Sequence, residues 1–388
     1  MDSDIQVTGP AGFYGNVASA GIKDASLDFM LVASELPCTA AGVFTRSRFA
    51  GSCVQVSRAH LASGSPRAVV ALSKNANVAT GATGYGDTLR VVGGVATALG
   101  IPNEEVVIAA TGVIGRRLPM DRIDAHLATL PEHLGPVDFE AASRAIMTTD
   151  TVNKLVVEHV GDATVVGIAK GVGMIAPDMA TLLAFFFTDA GVPGKDLSPS
   201  FRRVVDKTFN CLSIDTDTST SDTALVLANG AAGPVDPGEF EQALWRAASS
   251  LVKKIARDGE GATKLLEVRV DGARDGAQAK RVARLIVDSP LVKTAVHGAD
   301  PNWGRVAMAV GKASDDLDID PERTIIRFGT MEVYPRVLGP ADLGKVAELL
   351  ARDEVTVHVS LQIGDGDATV WGCDLSEEYV HINADYTT

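Results

Sequence analysis

The sequence predicts a layered α/β sandwich. Two observations carry that expectation: strand-like apolar runs and helix-like periodic stretches alternate from one end of the 388 residues to the other, and several strands are continuously apolar, as in sheets covered on both faces. At this length a chain exceeds a single ordinary core, so two lobes or one large layered domain is expected. The strands are Ala68–Leu72, Val106–Ala110, Ala163–Ala169, Leu182–Phe187, Ala224–Leu227, Leu265–Val270, Val355–Leu361 and Ala368–Gly372. The helices are Thr88–Leu99, stopped by Gly100-Ile-Pro102; Asp138–Met147, after Pro136; Pro237–Arg257; Ala277–Val287; and Ala341–Ala351. In Pro237–Arg257, Phe240, Leu244, Ala247, Leu251 and Ile255 recur at steps of three and four, the period of one helix face. The loosest points are expected at Ala190–Ser198, with glycine and two prolines, and at Gly230–Pro237.

Composition narrows the function classes. With 46% hydrophobic and 22% charged residues the chain reads as globular, and a net charge of −14 argues against nucleic acid or an anionic membrane as the main partner. An acidic protein can still bind an anionic small molecule through a local basic site. Met1–Pro10 has neither a basic nor an apolar segment, so no secretory signal is expected, and the apolar run Leu182–Phe187 is too short to span a bilayer. Cys38, Cys53, Cys211 and Cys373 are scattered and the seven histidines are isolated. Free thiols in a reducing cytoplasm are expected, and neither a zinc site nor another catalytic metal.

Six segments could carry chemistry. In Lys170-Gly-Val-Gly-Met-Ile-Ala-Pro-Asp-Met-Ala180-Thr181 a glycine-rich turn ends in a threonine just before an apolar strand. A hydroxyl at a strand end is held rigidly yet open to substrate, and cleavage before Thr181 would put a free α-amine beside it, nucleophile and base on one residue. Read locally, the segment is better explained as a buried strand with a polar start, and physics alone does not single out this threonine. Thr111-Gly112 follows a strand, where a hydroxyl and an unhindered backbone N–H can hold an oxyanion; a plain strand exit looks the same. Met147-Thr148-Thr149-Asp150-Thr151 has the composition of a capping turn. Lys170 reads as a solvated charge, or as the partner of a substrate carboxylate. Arg257-Asp-Gly-Glu260-Gly-Ala-Thr-Lys264 puts acids at a helix C-terminus, against the helix dipole. In the C-terminal stretch Tyr379–Thr388, Asn383 reads as a turn residue. Asp215, Asp217 and Asp222 have spacings that could pass for a cation site, though a polar turn with capping residues explains them as well, and Asp300-Pro-Asn-Trp-Gly is a turn by composition.

These segments, in this order, resemble the ornithine acetyltransferase (glutamate N-acetyltransferase) family, from Gly21-Ile-Lys23 to Thr388. The resemblance implies an αββα sandwich like that of N-terminal nucleophile hydrolases. It implies self-cleavage between Ala180 and Thr181 into an α chain, residues 1–180, and a β chain, residues 181–388. Thr181 is then the nucleophile and Thr111 and Gly112 the oxyanion hole. Thr148, or its neighbour Thr149, with Lys170, Thr181, Glu260, Asn383 and Thr388 would contact substrate. The substrates implied are N-acetylornithine and glutamate, with no cofactor, in an α2β2 heterotetramer. The sequence departs from the family pattern at Asp178 (usually asparagine), Val172 (serine), Lys74 (glycine in N-S-G-N-A-N) and Asp215-Thr-Asp217 (D-G-D). None removes a proposed catalytic group; together they fit a diverged paralogue of the kind found in actinomycete clavulanic acid clusters. The alternative reading is an N-terminal nucleophile aminopeptidase or amidohydrolase of related architecture, which the Asp-Gly-Glu-Gly-Ala-Thr-Lys and Asn383 motifs disfavour.

Overall fold

A computed structural model describes residues 8–131, 133–175 and 182–385. In chain order the strands are β1 (Phe13–Ala18), β2 (Phe29–Ser34), β3 (Thr39–Phe44), β4 (Ala68–Leu72), β5 (Val106–Ala110), β6 (Gly135–Pro136), β7 (Lys154–Val160), β8 (Ala163–Lys170), β9 (Leu183–Gly191), β10 (Thr223–Pro234), β11 (Leu265–Ala273), β12 (Ile325–Phe328), β13 (Met331–Tyr334), β14 (Glu354–Ser360) and β15 (Gly366–Cys373). The α-helices are α1 (Ser52–Ser63), α2 (Gly81–Leu99), α3 (Met120–Leu127), α4 (Phe139–Ala145), α5 (Gly194–Lys207), α6 (Pro237–Arg257), α7 (Gly276–Val287), α8 (Pro290–His297), α9 (Gly304–Gly311), α10 (Pro340–Leu350) and α11 (Glu377–Asp385).

Strand order explains the layers. One sheet runs β5-β4-β2-β1-β6 and a second β3-β10-β9-β8-β7; each is mixed, with β4–β5 and β9–β10 parallel and the other pairs antiparallel. Because strand side chains alternate between faces, the two halves of each apolar run serve different cores. In β9, Leu183, Phe185 and Phe187 pack between the two sheets with Met30, Val69 and Val107, while Ala184 and Phe186 pack against α5 and α6. Phe187 meets Phe139 of α4 at 5.6 Å between ring centroids, and Phe186 meets Phe201 of α5 at 6.0 Å. The outer face of the first sheet is covered by α1, α2 and α3 through Cys53, Val56, Val91, Val95 and Ile123. The result is an αββα sandwich. A third sheet, β13-β12-β14-β11-β15, shares the core of α6 and carries α7 to α10, so a further α/β unit sits beside the sandwich.

Two sequence expectations change here. Ala190–Ser198 is no loose loop: Ala190 and Gly191 end β9 and α5 starts at Gly194, with Pro199 inside it. Leu197, Phe201, Val204 and Val205 pin that helix to the sheet, and this burial outweighs the local breakers. Gly230–Pro234 continues β10 past an irregularity in its pairing with β9. No described helix is long and apolar enough to cross a membrane. All four cysteines are buried and free, and burial pushes the thiols of Cys38 and Cys53 up to about 11 and about 12.

Candidate active site

The parallel neighbours β4 and β5 end side by side, so the loops after them leave the sheet together. Thr111 donates its N–H to Leu72 O at 3.0 Å, and Asn75 forms bridges to both Thr111 and Val113. Gly112 has φ +124°, and a Cβ there would lie 2.3 Å from the carbonyl carbon of Lys74, so only glycine fits. Thr111 is buried, 6% exposed.

Next, β8 ends on Lys170, and sheet register sets Lys170 opposite Leu183, which lies in turn opposite Thr223 of β10. Lys170 is not the solvated charge that local reading allowed; it is 6% exposed, and burial pulls its ammonium below the usual lysine range against the attraction of Asp150. It donates to Thr148 Oγ1 at 3.3 Å. Thr149 donates to Glu260 Oε1 at 2.9 Å, and Asn383 Nδ2, from α11, donates to Glu260 Oε2 at 2.9 Å. The Glu260 carboxylate lies against Gly173, where a Cβ would come within 2.5 Å of Oε2. Lys74 donates to Met147 O at 3.0 Å and so ties the Gly112 loop to the Thr148 segment. Among the described site residues, Thr148, Thr149, Lys170, Glu260 and Asn383 thus come together through contacts between residues up to 123 apart in sequence, and Lys74 ties the Thr111-Gly112 loop to the segment that carries the threonines. Both threonines belong to the cluster, one on the lysine and one on the glutamate. Ala180, Thr181 and Thr388 lie outside the described residues.

Beneath this cluster is a buried ionic scaffold that the sequence did not disclose. Lys154, fully buried, donates to Asp150 Oδ1 at 2.7 Å, Asp258 Oδ2 at 2.6 Å and Val152 O at 3.1 Å, so all three ammonium protons are used. Asp150 also accepts the N–H groups of Gly171 and Thr148, and Asp258 accepts that of Thr151. Burial works to raise the Asp150 carboxyl, but the ammonium groups of Lys154 and Lys170 hold it below the usual range. One lysine therefore joins the hydroxyl segment, the turn after Lys170 and the Asp258-Gly-Glu260 motif. In the same motif Thr263 and Lys264 serve the third sheet: Asp374 accepts both their N–H groups, and Lys264 Nζ donates to Val296 O, His297 O and Leu350 O.

Asp215 is a clamp for backbone. It accepts the N–H of Met174 at 2.5 Å and of Ile175 at 2.7 Å, fixing the turn ahead of residue 176. No group of three or more acids, histidines or cysteines suited to a metal occurs among the described residues. Asp222, 1% exposed, accepts the Leu182 N–H at 2.9 Å; burial pushes its carboxyl well above the usual range, and its Oδ2 has no partner among the described residues. In sequence it reads as part of a polar turn or of a cation site with Asp215 and Asp217.

Comparison with known proteins agrees with the segment order. The chain is 57% identical over 392 aligned positions, covering all of both proteins, to glutamate N-acetyltransferase Oat2 of Streptomyces clavuligerus. It is 55% identical over 379, covering 98% of each, to arginine biosynthesis bifunctional protein ArgJ 2 of a Nostoc species. A crystal structure of arginine biosynthesis bifunctional protein ArgJ from Bacillus halodurans is 40% identical with a TM-score of 0.50, covering 53% of this chain and 99% of that one. Residues 15–388 match the ArgJ family, and this chain is a member of it.

Proposed function

We propose that the protein is a glutamate N-acetyltransferase that moves the acetyl group of N-acetylornithine to glutamate through an acetyl-Thr181 intermediate. The observation that carries the reading is the convergence of Lys170, Thr148, Thr149, Glu260 and Asn383 beside the start of β9, the strand that Thr181 precedes. The chain first processes itself. The Thr181 hydroxyl attacks the Ala180 carbonyl, the peptide nitrogen leaves as the new α-amine, and water hydrolyses the resulting ester. Residues 1–180 and 181–388 result. The size of the solved Bacillus halodurans chain supports this, since 208 of 388 residues is 54% and that chain covers 53%.

In turnover the Thr181 α-amine, with an ordinary pKa of about 7.7–8.0, takes the hydroxyl proton as Oγ attacks the acetyl carbonyl. Thr111 Oγ1 and Gly112 N–H hold the oxyanion. Ornithine leaves with the proton, glutamate enters, and its amine attacks the acetyl ester. Lys170 suits a substrate α-carboxylate and Glu260 an α-ammonium, with Thr148 or Thr149, Asn383 and Thr388 completing the grip. Acyl transfer to an amine in water requires that positioning, because the acceptor must outrun hydrolysis. Two αβ pairs assemble, in a reducing cytoplasm where the four thiols stay free. The test is initial-rate kinetics at several glutamate concentrations: parallel double-reciprocal plots are expected. Intersecting plots would mean direct transfer in a ternary complex, and steady ornithine release without glutamate would mean a hydrolase.

A further inference from the structure

Lys74 is the residue of this site whose conformation and charge need a separate explanation. It has φ +74°, the left-handed region where glycine sits freely and a lysine is strained. Strain of this kind is retained where the surroundings hold it, and Lys74 is held twice. Its backbone carbonyl accepts the N–H of Val113 at 3.3 Å and leaves no room for a Cβ at Gly112, and its Nζ spans to Met147 O, the carbonyl preceding Thr148. The ammonium is therefore fixed on the wall between the oxyanion loop and the hydroxyl segment. No carboxylate among the described residues forms a salt bridge with it; its field acts on the exposed carboxylate of Asp24 from a distance. A carbonyl satisfies one of its three donors and neutralises none of its charge.

The charges already in the cluster are spoken for. Lys170 and Glu260 match the carboxylate and ammonium shared by every α-amino acid, so they cannot tell glutamate from ornithine. An uncompensated cation on the neighbouring wall can, because like charges repel and opposite charges attract at a partly dry site. Resting on the site as read above, we propose that Lys74 is a specificity-determining residue: its ammonium favours amino acids with an anionic side chain, glutamate above all, over those with a cationic one.

The test is calorimetric binding of L-glutamate and L-ornithine, neither of which reacts without an acetyl donor, to the wild-type protein and to Lys74→Met, Lys74→Arg and Lys74→Gly. Removing the charge is expected to weaken glutamate relative to ornithine by about five-fold or more in the ratio of dissociation constants, an effect that shrinks at high salt. Lys74→Arg should keep the wild-type ratio, and Lys74→Gly, free of strain, should fold at least as well while showing the shifted ratio. Equal weakening of both ligands in Lys74→Met would mean a brace between the two walls and overturn the proposal. So would an unchanged ratio, or a ratio moved as far by arginine as by methionine. Wild-type protein that binds neither amino acid would sink the reading of the site itself, and the proposal with it.

Discussion

Replacing Lys154 by methionine is the sharpest test of the scaffold beneath the site. The substitution keeps length and volume but deletes an ammonium that holds two carboxylates at 2.7 and 2.6 Å with the lysine fully buried. Removing one partner of a buried ion pair leaves charge uncompensated and costs about 3–5 kcal/mol. At about 2–4 °C per kcal/mol for domains of 150–250 residues, and less for a longer chain, Tm should fall by roughly 5–15 °C at neutral pH. The pH dependence has a definite sign. Wild-type Asp150 has a lowered pKa, so it contributes stability above the ordinary aspartate range that is lost as pH falls through its folded value. In the variant Asp150 loses the ammonium that holds it ionised and takes up a proton more readily, so the gap between the two proteins should narrow toward acid. Adding Asp258→Asn should restore part of the loss by removing one stranded charge. The assay is calorimetry from pH 4 to 8. A neutral-pH Tm within about 2 °C of wild type, or a gap that widens toward acid, would refute the reasoning.

Other outcomes follow from the same geometry. Thr111→Val should lower turnover on the order of 10²–10³-fold with little change in substrate binding, as for loss of one oxyanion donor; unchanged turnover would leave Thr111 structural. Gly112→Ala should be more damaging than its size suggests, because its Cβ would sit 2.3 Å from the Lys74 carbonyl carbon at φ +124°, and a processed, fully active variant would contradict this. Asp222 has a raised pKa, so the folded protein binds more protons than the unfolded chain between the ordinary aspartate range and its folded value. Stability should therefore fall as pH rises through that window, and Asp222→Asn should flatten the fall; melting curves with the same slope would place the titration elsewhere.

Much of the sandwich was legible because its strands are unambiguous runs. Ala68–Leu72, Val106–Ala110 and helix Pro237–Arg257 appear as expected. Strand Leu183–Gly191 runs further than its apolar core because Thr188 and Asp189 are satisfied inside the sheet; Asp189 accepts the N–H groups of Ala11 and Thr164. Helix Ser52–Ser63 escaped notice since its stability is tertiary: Ser57 bonds both the N–H and the carbonyl of Ile108 from across the layer. The site was legible only as separate segments. Spacing cannot show that Thr149 and Asn383 meet on Glu260, 111 and 123 residues away, and resemblance to a family supplied that grouping. Nor could it show that Lys154, one lysine at a strand start, would be the hub of three segments.

The central claim is a covalent acetyl group on a threonine created by self-cleavage, and intact-mass analysis tests it most directly. Purified protein should give two chains of roughly 19 and 22 kDa, 40.4 kDa divided as 180 and 208 of 388 residues, the larger beginning at Thr181. Incubation with N-acetylornithine alone should add one acetyl mass to the larger chain and release one ornithine per site, and glutamate should then discharge it as N-acetylglutamate. A single uncut chain with full transferase activity, or two chains that never gain the acetyl mass, would contradict the account.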